Sequence, residues 1–165
     1  MTTPRPDAPW LDEGERAAWL RLVTVLELLP GVLDAQLRRD ADLSHFDYFV
    51  LAMLSESPDR VLRMTALAAM TNSTLPRLSH VVSRLEQRGY VERRPCPEDK
   101  RATNAWLTEA GWDKVVETAP GHVATVRDQV VDALSREQLD QLAGICDALL
   151  GRIPAARAML AIRDT

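Results

Sequence analysis

Residues 64–108, MTALAAMTNSTLPRLSHVVSRLEQRGYVERRPCPEDKRATNAWLT, decide the fold of this chain. The stretch predicts two helices and a hairpin, at about 65–70, 74–88 and 90–107. Apolar residues recur at helical spacing in the longer helix and predict one buried stripe, formed by Leu78, Val81, Val82 and Leu85. Two helices joined by a tight polar turn form a helix-turn-helix, whose second helix can enter a DNA major groove.

The ends of these helices carry recognisable signals. Thr65 and Thr74 are predicted N-caps, because a threonine hydroxyl can accept a hydrogen bond from a free amide of the first turn. Pro76 is tolerated in that turn, where amides have no helical partner. Gly89 is predicted to end the longer helix in a left-handed conformation. The hairpin that follows, with a polar, proline-containing tip, is predicted to be a wing.

The order and spacing of these features resemble the MarR family of bacterial transcriptional regulators. The resemblance runs from Leu67 to Gly111, and its most recognisable parts are DKRA at 99–102 and LTEAG at 107–111. The sequence RLSH at 77–80 resembles an actinobacterial-type branch of that family. The resemblance implies a homodimeric regulator, most often a repressor that a small molecule releases from its pseudo-palindromic operator.

The sequence around this centre predicts a mainly α protein with a small β-wing. We expect a flexible tail at 1–10, a winged helix-turn-helix region at 44–108 and helical dimerisation regions at 11–37 and 112–165. The terminal helices carry apolar faces that need a partner, and a twofold dimer would present two recognition helices to one duplex. A short strand at 60–64 is expected to join the wing.

Several further helix signals lie outside the central stretch. Ser44 with Asp47, and Ser135 with Gln138, have the spacing of capping boxes. Thr108 is the predicted N-cap of the helix after the wing, which is expected to run to about Leu134. The pairs at 30–31 and 120–121 are both Pro-Gly, and we expect them to kink or briefly break their helices.

Charge is distributed unevenly along the 165 residues. The formal net charge is −4, yet residues 60–101 carry nine Lys/Arg and four Asp/Glu, a balance of +5. The rest of the chain carries eleven Lys/Arg and twenty Asp/Glu, a balance of −9. A basic centre favours docking onto DNA by one face, although a solvated basic surface without a partner would have the same composition.

Composition also limits the class of protein. Charges interrupt every apolar run before it reaches membrane-spanning length, and the N-terminus has no signal-peptide core, so we expect a cytoplasmic protein that does not contact membranes. Cys96 and Cys146 are far apart and suggest neither a disulfide framework nor a zinc site. The sequence contains no catalytic motif, so we expect no enzyme, no cofactor and no metal.

Double-stranded DNA is the expected partner, and each candidate contact follows from side-chain chemistry. Arg77, Ser79 and His80 lie near the start of the recognition helix, where they can bond base edges or phosphates. Ser73, Thr74 and Arg84 are better placed for phosphates. At the wing tip, the resemblance implies that Arg101 enters a minor groove and that Asp99 holds the tip in shape, with Lys100 a phosphate contact. A basic hairpin that binds another protein is the alternative.

Two further hypotheses concern regulation. Trp19, His45, Tyr48 and His122 could line a pocket between the dimerisation helices and the winged region, where many family members bind phenolic or other aromatic acids. Each could instead be an ordinary core residue. Cys96 lies near Arg93 and Arg94, and positive charge makes a thiol more reactive, which would allow redox sensing. The alternative is a small packing residue, the role also expected for Cys146.

Overall fold

The computed structural model describes residues 9–97, 99, 101–156 and 159. Within them the chain is mainly helical with one small antiparallel sheet, so the predicted fold class is confirmed. The elements in chain order are α1 (Glu13–Ala41), α2 (His45–Ser55), β1 (Val61–Arg63), α3 (Met64–Met70), α4 (Leu75–Gln87), β2 (Val91–Pro95), β3 (Thr103–Leu107), α5 (Glu109–Val126) and α6 (Arg136–Leu150). Much of the predicted tail, residues 1–8, lies outside the described residues, as do 157–158 and 160–165.

The chain divides into two compact units, residues 1–32 and 33–165. The described part of the first unit consists mainly of the N-terminal portion of α1. Its large apolar side chains are exposed, among them Trp10, Trp19, Val25, Leu26 and Leu28. The second unit contains the remaining elements and the hydrophobic core.

The core of the second unit is built around the longer helix of the helix-turn-helix. All four residues of the predicted stripe on α4 are buried, so that prediction is confirmed. Leucines from the neighbouring elements complete the core and are fully inaccessible: Leu37, Leu43, Leu51, Leu54 and Leu67. Burial of such side chains contributes about 1.5–3 kcal/mol each, so α4 is fixed mainly by its apolar face.

The sheet has the strand order β1-β3-β2, and both pairings are antiparallel. Val61 pairs with Trp106 on one side of β3, and Val91 pairs with Leu107 on the other. The predicted strand before α3 therefore joins the wing. Because β3 is the central strand, β1 pairs with the wing along the edge of β3 opposite β2.

Most of the predicted caps are confirmed. Thr74 accepts a hydrogen bond from the Arg77 amide at 3.4 Å, and Thr108 accepts one from the Gly111 amide at 3.0 Å. Both capping boxes form, at Ser44 and at Ser135. The prediction for Thr65 was wrong, because α3 begins one residue earlier, at Met64, directly after β1 ends.

The two Pro-Gly pairs do not break their helices. α1 continues from Glu13 to Ala41 through Pro30, and α5 continues to Val126 through Pro120. A proline removes one backbone hydrogen bond, but the bonds on either side keep a long helix continuous. Beyond Val126 the helix expected to reach Leu134 changes to a short π-helical turn, Arg127–Val131.

Two glycines are required by the junction between α4, β2 and α5. Gly89 has a φ of 75° and ends α4 as predicted, with its amide donating to the Glu86 carbonyl at 2.8 Å. Gly111 lies against the chain just after that turn, where an added Cβ would be 2.1 Å from the Tyr90 carbonyl oxygen. The glycine of the LTEAG sequence thus permits the close approach of α5 to the end of the recognition helix.

Candidate nucleic-acid interface

The recognition helix α4 presents its polar side chains away from the buried stripe. Arg77 and His80 are exposed, and Ser79 is half-buried. The Arg77 guanidinium lies 4.8 Å above the centre of the Phe46 ring, which supports the flat side chain while leaving its donors accessible. No signal in the sequence indicated this contact between α2 and α4.

The turn before α4 is shaped by local hydrogen bonds. Asn72 adopts a left-handed conformation with a φ of 47°, and the Ser73 hydroxyl donates to the Thr74 carbonyl at 3.2 Å. The exposed Thr74 hydroxyl accepts from the Arg77 amide and can still donate its own hydrogen. The Thr74 hydroxyl is therefore free to donate to a phosphate at the N-terminal end of the recognition helix, whereas the Ser73 hydroxyl must first release the Thr74 carbonyl.

The described residues of the wing tip form a hydrogen-bonded turn. The Arg101 amide donates to the Asp99 carboxylate at 3.0 Å, so the expected role of Asp99 in shaping the tip agrees with the geometry. The Ala102 amide donates to the Asp99 carbonyl at 2.9 Å, and Arg101 itself is exposed. Lys100 lies outside the described residues.

The recognition helix and the wing tip border the same cleft, which has a volume of about 220 Å³. Ser79 contributes from α4, and Arg101 contributes from the wing. The remaining lining residues come from α3, α4 and the sheet: Met64, Thr65, Leu75, Arg93, Ala102 and Thr103. Ser79, one of the candidates for the major groove, and Arg101, the candidate for the minor groove, thus face a common opening.

Arg93 fixes the wing to the recognition helix. Its side chain donates to Glu86 at 2.7 Å and to the Ser83 hydroxyl at 2.9 Å, and its amide donates to Glu86 at 2.8 Å. A third side-chain bond, at 3.4 Å, reaches Ser79. Nothing in the spacing of these residues signalled the contact, because it depends on the reversal of the chain at Gly89.

Arg84 has a partner within the chain that sequence reasoning did not anticipate. Its guanidinium donates to the buried carboxylate of Asp47 on α2. Four residues further along, Arg88 donates to the Asp42 carbonyl at 2.6 Å and to its carboxylate at 3.1 Å. The expected phosphate contact of Arg84 therefore competes with an ion pair, because a guanidinium held by Asp47 has fewer donors left for DNA.

Three of the four residues predicted for a ligand pocket lie together in the second unit. The Tyr48 and His122 ring centres are 4.8 Å apart, and those of His45 and His122 are 6.3 Å apart. Gln36, which sequence reasoning missed, places its side-chain oxygen 3.4 Å from Nδ1 of His122. We refer to Gln36, His45, Tyr48 and His122 as the histidine cluster. Trp19 belongs to the first unit and is exposed.

Burial sets the protonation behaviour of the histidine cluster. It lowers the pKa of His45, an effect that the nearby Asp34 carboxylate partly opposes. Burial also lowers the pKa of His122, and the charge of His45 lowers it further. The pKa of Tyr48 is raised, mainly by burial. At neutral pH the cluster is therefore uncharged and offers neutral donors and acceptors beside aromatic rings.

The structure buries Cys96, in agreement with a packing role, and exposes Cys146. Cys96 is buried, with 5% of its surface accessible, and its sulfur accepts from the Arg63 guanidinium at 3.5 Å. This burial disfavours attack by an oxidant. Cys146, expected to be a packing residue, is exposed on α6.

Metal-binding clusters and membrane-spanning helices are both absent from the described residues. Among residues 9–97, 99, 101–156 and 159, no group of three or more His, Cys, Asp or Glu side chains is arranged to hold a metal ion. In the same part of the chain, no helix is both long enough and apolar enough to span a membrane.

Comparison with known proteins places this fold among regulators. The profile of the MarR family matches residues 42–102. A MarR family transcriptional regulator from Streptomyces coelicolor, solved in complex with DNA, is 45% identical, with 85% of this chain and 91% of that chain covered and a TM-score of 0.81. AbsC from the same organism is 36% identical over 87% of this chain and 99% of its own, with a TM-score of 0.80.

A curated relative gives a similar result. The transcriptional repressor YetL of Bacillus subtilis is 26% identical over 143 residues, which are 87% of this chain and 84% of YetL. The fold and the exposed recognition helix define a winged helix-turn-helix DNA-binding protein. The chain belongs to the MarR family of transcriptional regulators, and its relatives are regulators rather than enzymes.

Proposed function

We propose that this DNA-binding regulator is a homodimeric repressor that a small aromatic ligand releases from a pseudo-palindromic operator. The observation that carries the proposal is the shared opening of α4 and the wing, lined by Ser79 and Arg101. Arg77 and His80 are exposed beside it. One winged region makes too few contacts for specific binding, so two copies must act on one site.

In this proposal each part of the interface has a different task. Arg77 reads a base in the major groove, since a guanidinium can make two hydrogen bonds to guanine. Ser73, Thr74, Ser79 and His80 add bonds to phosphates or base edges. Arg101 enters the flanking minor groove, which is narrow and electronegative where the DNA is A/T-rich. Asp99 keeps the tip in the shape that presents Arg101.

The homodimer is supported by the exposed apolar faces of the terminal helices. Trp19, Leu26 and Leu28 on α1 are 54%, 60% and 64% exposed. On the C-terminal helices the exposed apolar residues are Val116, Val123, Leu142, Ile145 and Leu149. Apolar surface of this extent is typical of an interface, and a second copy is the partner that would present two recognition helices.

The histidine cluster is the proposed ligand site. Its neutral imidazoles, the Tyr48 hydroxyl and Gln36 can hydrogen-bond a phenol or carboxylate, and the rings can stack on an aromatic ring. Suppose that a ligand binds more tightly when the two recognition helices have a spacing that does not fit the operator. Its binding would then lower operator affinity by the difference between its binding free energies for the two spacings. Redox control through Cys96 is the less favoured alternative because the thiol is buried.

Selection of bound duplexes from a random pool tests the proposal. The expected product is an inverted repeat with half-sites about 10 base pairs apart, bound by two chains, with affinity falling steeply as salt increases. Light scattering of the free protein should report a dimer at micromolar concentration. A stable monomer, or duplex binding that salt does not weaken, would contradict the proposal and favour a protein-interaction role for the basic hairpin.

The regulatory alternative has its own test. Peroxide treatment of the wild-type protein and of Cys96→Ser should leave operator binding unchanged in both, because the thiol is shielded. Salicylate, as a simple phenolic acid probe, should weaken operator binding, and His122→Ala should reduce that effect. Peroxide sensitivity that disappears in Cys96→Ser would instead establish the thiol switch.

A further inference from the structure

Three consecutive residues at the start of α2 face three different parts of the second unit. His45 packs against His122 in the histidine cluster, and Phe46 lies under the Arg77 guanidinium. Asp47 binds Arg84 on the recognition helix. The first turn of α2 is therefore where the proposed ligand site and the recognition helix meet.

Asp47 uses both of its carboxylate oxygens. Oδ2 accepts from the Ser44 amide at 2.9 Å and closes the capping box, while Oδ1 accepts from Arg84. The side chain is 5% exposed, so the carboxylate is held in a fixed orientation away from competing water. A carboxylate fixed by a helix cap is a rigid anchor for a guanidinium from another helix.

A second ion pair lies one turn further along α4 and strengthens the connection. Arg88, the C-cap residue of α4, donates to both the carbonyl and the carboxylate of Asp42. Asp42 follows the end of α1 in a left-handed conformation with a φ of 53°. Arg84 and Arg88 are four residues apart, so they extend from the same face of α4, Arg84 to the first turn of α2 and Arg88 to the connection between α1 and α2.

From this geometry we infer that Asp47 is a positioning residue for DNA recognition, which acts through Arg84 to set the orientation of α4. Asp42 and Arg88 supply a weaker second tether. The inference rests on the proposed reading of DNA by α4. It also gives Arg84 a role different from the phosphate contact expected from the sequence.

A positioning role and a purely electrostatic role of Asp47 predict opposite changes in operator affinity when its charge is removed, which allows a decisive test. An aspartate near a DNA-binding surface repels phosphates, so Asp47→Asn should strengthen binding if charge is all that matters. It should also strengthen binding if Arg84 is released to contact a phosphate. If Asp47 positions the helix, Asp47→Asn should weaken binding to the operator although it removes a negative charge.

The experiment measures the affinity of the full-length protein for the selected operator and for a random duplex at one salt concentration. Asp47→Asn should weaken operator binding by about two- to thirtyfold and leave random-duplex binding unchanged or tighter. Arg84→Gln should weaken operator binding similarly. The double variant, with both Asp47→Asn and Arg84→Gln, should bind the operator no more weakly than the single variant that binds it less well, because both changes break the same connection.

Matched controls separate positioning from stability and charge. Ser44→Ala removes the N-cap of α2 but leaves the Asp47–Arg84 pair, so it should lower the melting temperature without a comparable loss of operator affinity. Glu92→Gln removes a negative charge from a residue that pairs with Arg94 rather than with α4, and operator affinity should be unchanged or slightly higher. If Asp47→Asn does not fold, Asp42→Gly replaces it, because glycine suits the positive φ; it should give a smaller loss in the same direction.

Several results would overturn the inference. One is operator binding by Asp47→Asn that equals or exceeds wild type. Another is a loss of affinity in Asp47→Asn that is equal for the operator and the random duplex. A third is a loss of operator affinity in Ser44→Ala as large as in Asp47→Asn. Either result would indicate general loosening of α2. Arg77→Ala distinguishes failure of the Asp47 inference from failure of the proposed function. If Arg77→Ala weakens operator binding, the proposed reading of DNA by α4 stands whatever Asp47→Asn does. If Arg77→Ala has no effect on operator binding, α4 is not the helix that reads DNA.

Discussion

The recognition helix α4 and the C-terminal helix α6 carry similar apolar stripes but have different surroundings. On α4, Leu78 and Leu85 are fully buried within the chain. On α6, Ile145 and Leu149 are 57% and 44% exposed. The periodicity of a sequence predicts which face of a helix is apolar, but it does not tell whether the same chain or another one covers that face.

The largest expected effect distinguishes the two stripes by a matched substitution. Leu85→Ala should lower the free energy of unfolding by about 2–5 kcal/mol, because it leaves a cavity in the core. Leu149→Ala should have an effect that depends on protein concentration, because its cost falls on association. Chemical denaturation at several protein concentrations would measure both. A concentration-independent loss of the same size in Leu149→Ala would show that α6 is covered within its own chain.

The next effect concerns the polar face of α4. Arg77→Ala should weaken operator binding by about 1–3 kcal/mol and relax the preference at one base pair in each half-site. Fluorescence anisotropy with the operator and single-base variants would measure this. An equal loss on operator and random DNA would mean that Arg77 contacts phosphate only. Gln87, exposed at the other end of the helix, offers a control substitution, Gln87→Ala, expected to change little.

The wing should contribute less than the recognition helix. Arg101→Ala should weaken operator binding and reduce the preference for A/T-rich flanks, with the fold and the dimer intact. Asp99→Ala should show a milder loss of the same kind, because the Arg101 amide loses its acceptor at the tip. Competition between operators that differ in their flanks would measure the preference. A larger loss for Asp99→Ala than for Arg101→Ala would contradict this division of roles.

The smallest expected effect concerns the histidine cluster, which joins α2 to α5. Burial lowers the pKa of both histidines in the folded state, so the unfolded chain binds protons more readily. The contribution of the two histidines to stability should therefore be constant above about pH 7 and fall as the pH drops through the ordinary histidine pKa of about 6.5. His122→Gln should reduce this dependence between pH 7 and 5. Denaturation at a series of pH values would measure how the free energy of unfolding depends on pH. If this dependence is as steep in His122→Gln as in wild type, His122 does not contribute to it.

Local signals in the sequence predicted much of the winged region correctly. The stripe of α4, the caps at Thr74 and Thr108 and the turn at Gly89 each depend on residues within a few positions of one another. The start of α3 was misplaced by one residue, because pairing of β1, rather than a threonine cap, determines where that helix begins.

The contacts that shape the candidate interface could not be predicted in the same way. Asp47 and Arg84 are 37 positions apart, and Asp42 and Arg88 are 46 apart. Their meeting depends on how α4 packs against α2, which periodicity does not specify. For the same reason the sequence placed Arg84 on a DNA phosphate, whereas packing gives this arginine an internal partner, Asp47. The burial of Cys96 agrees with the packing role that the sequence also allowed.

The central claim is that two copies of the winged region act symmetrically on one operator, and hydroxyl-radical footprinting tests it most directly. Wild-type protein should protect two outer minor grooves placed symmetrically about major-groove contacts roughly 10 base pairs apart. Arg101→Ala should lose both outer protections together and keep the central ones. Protection on one side alone, or outer protection that Arg101→Ala leaves unchanged, would contradict the account.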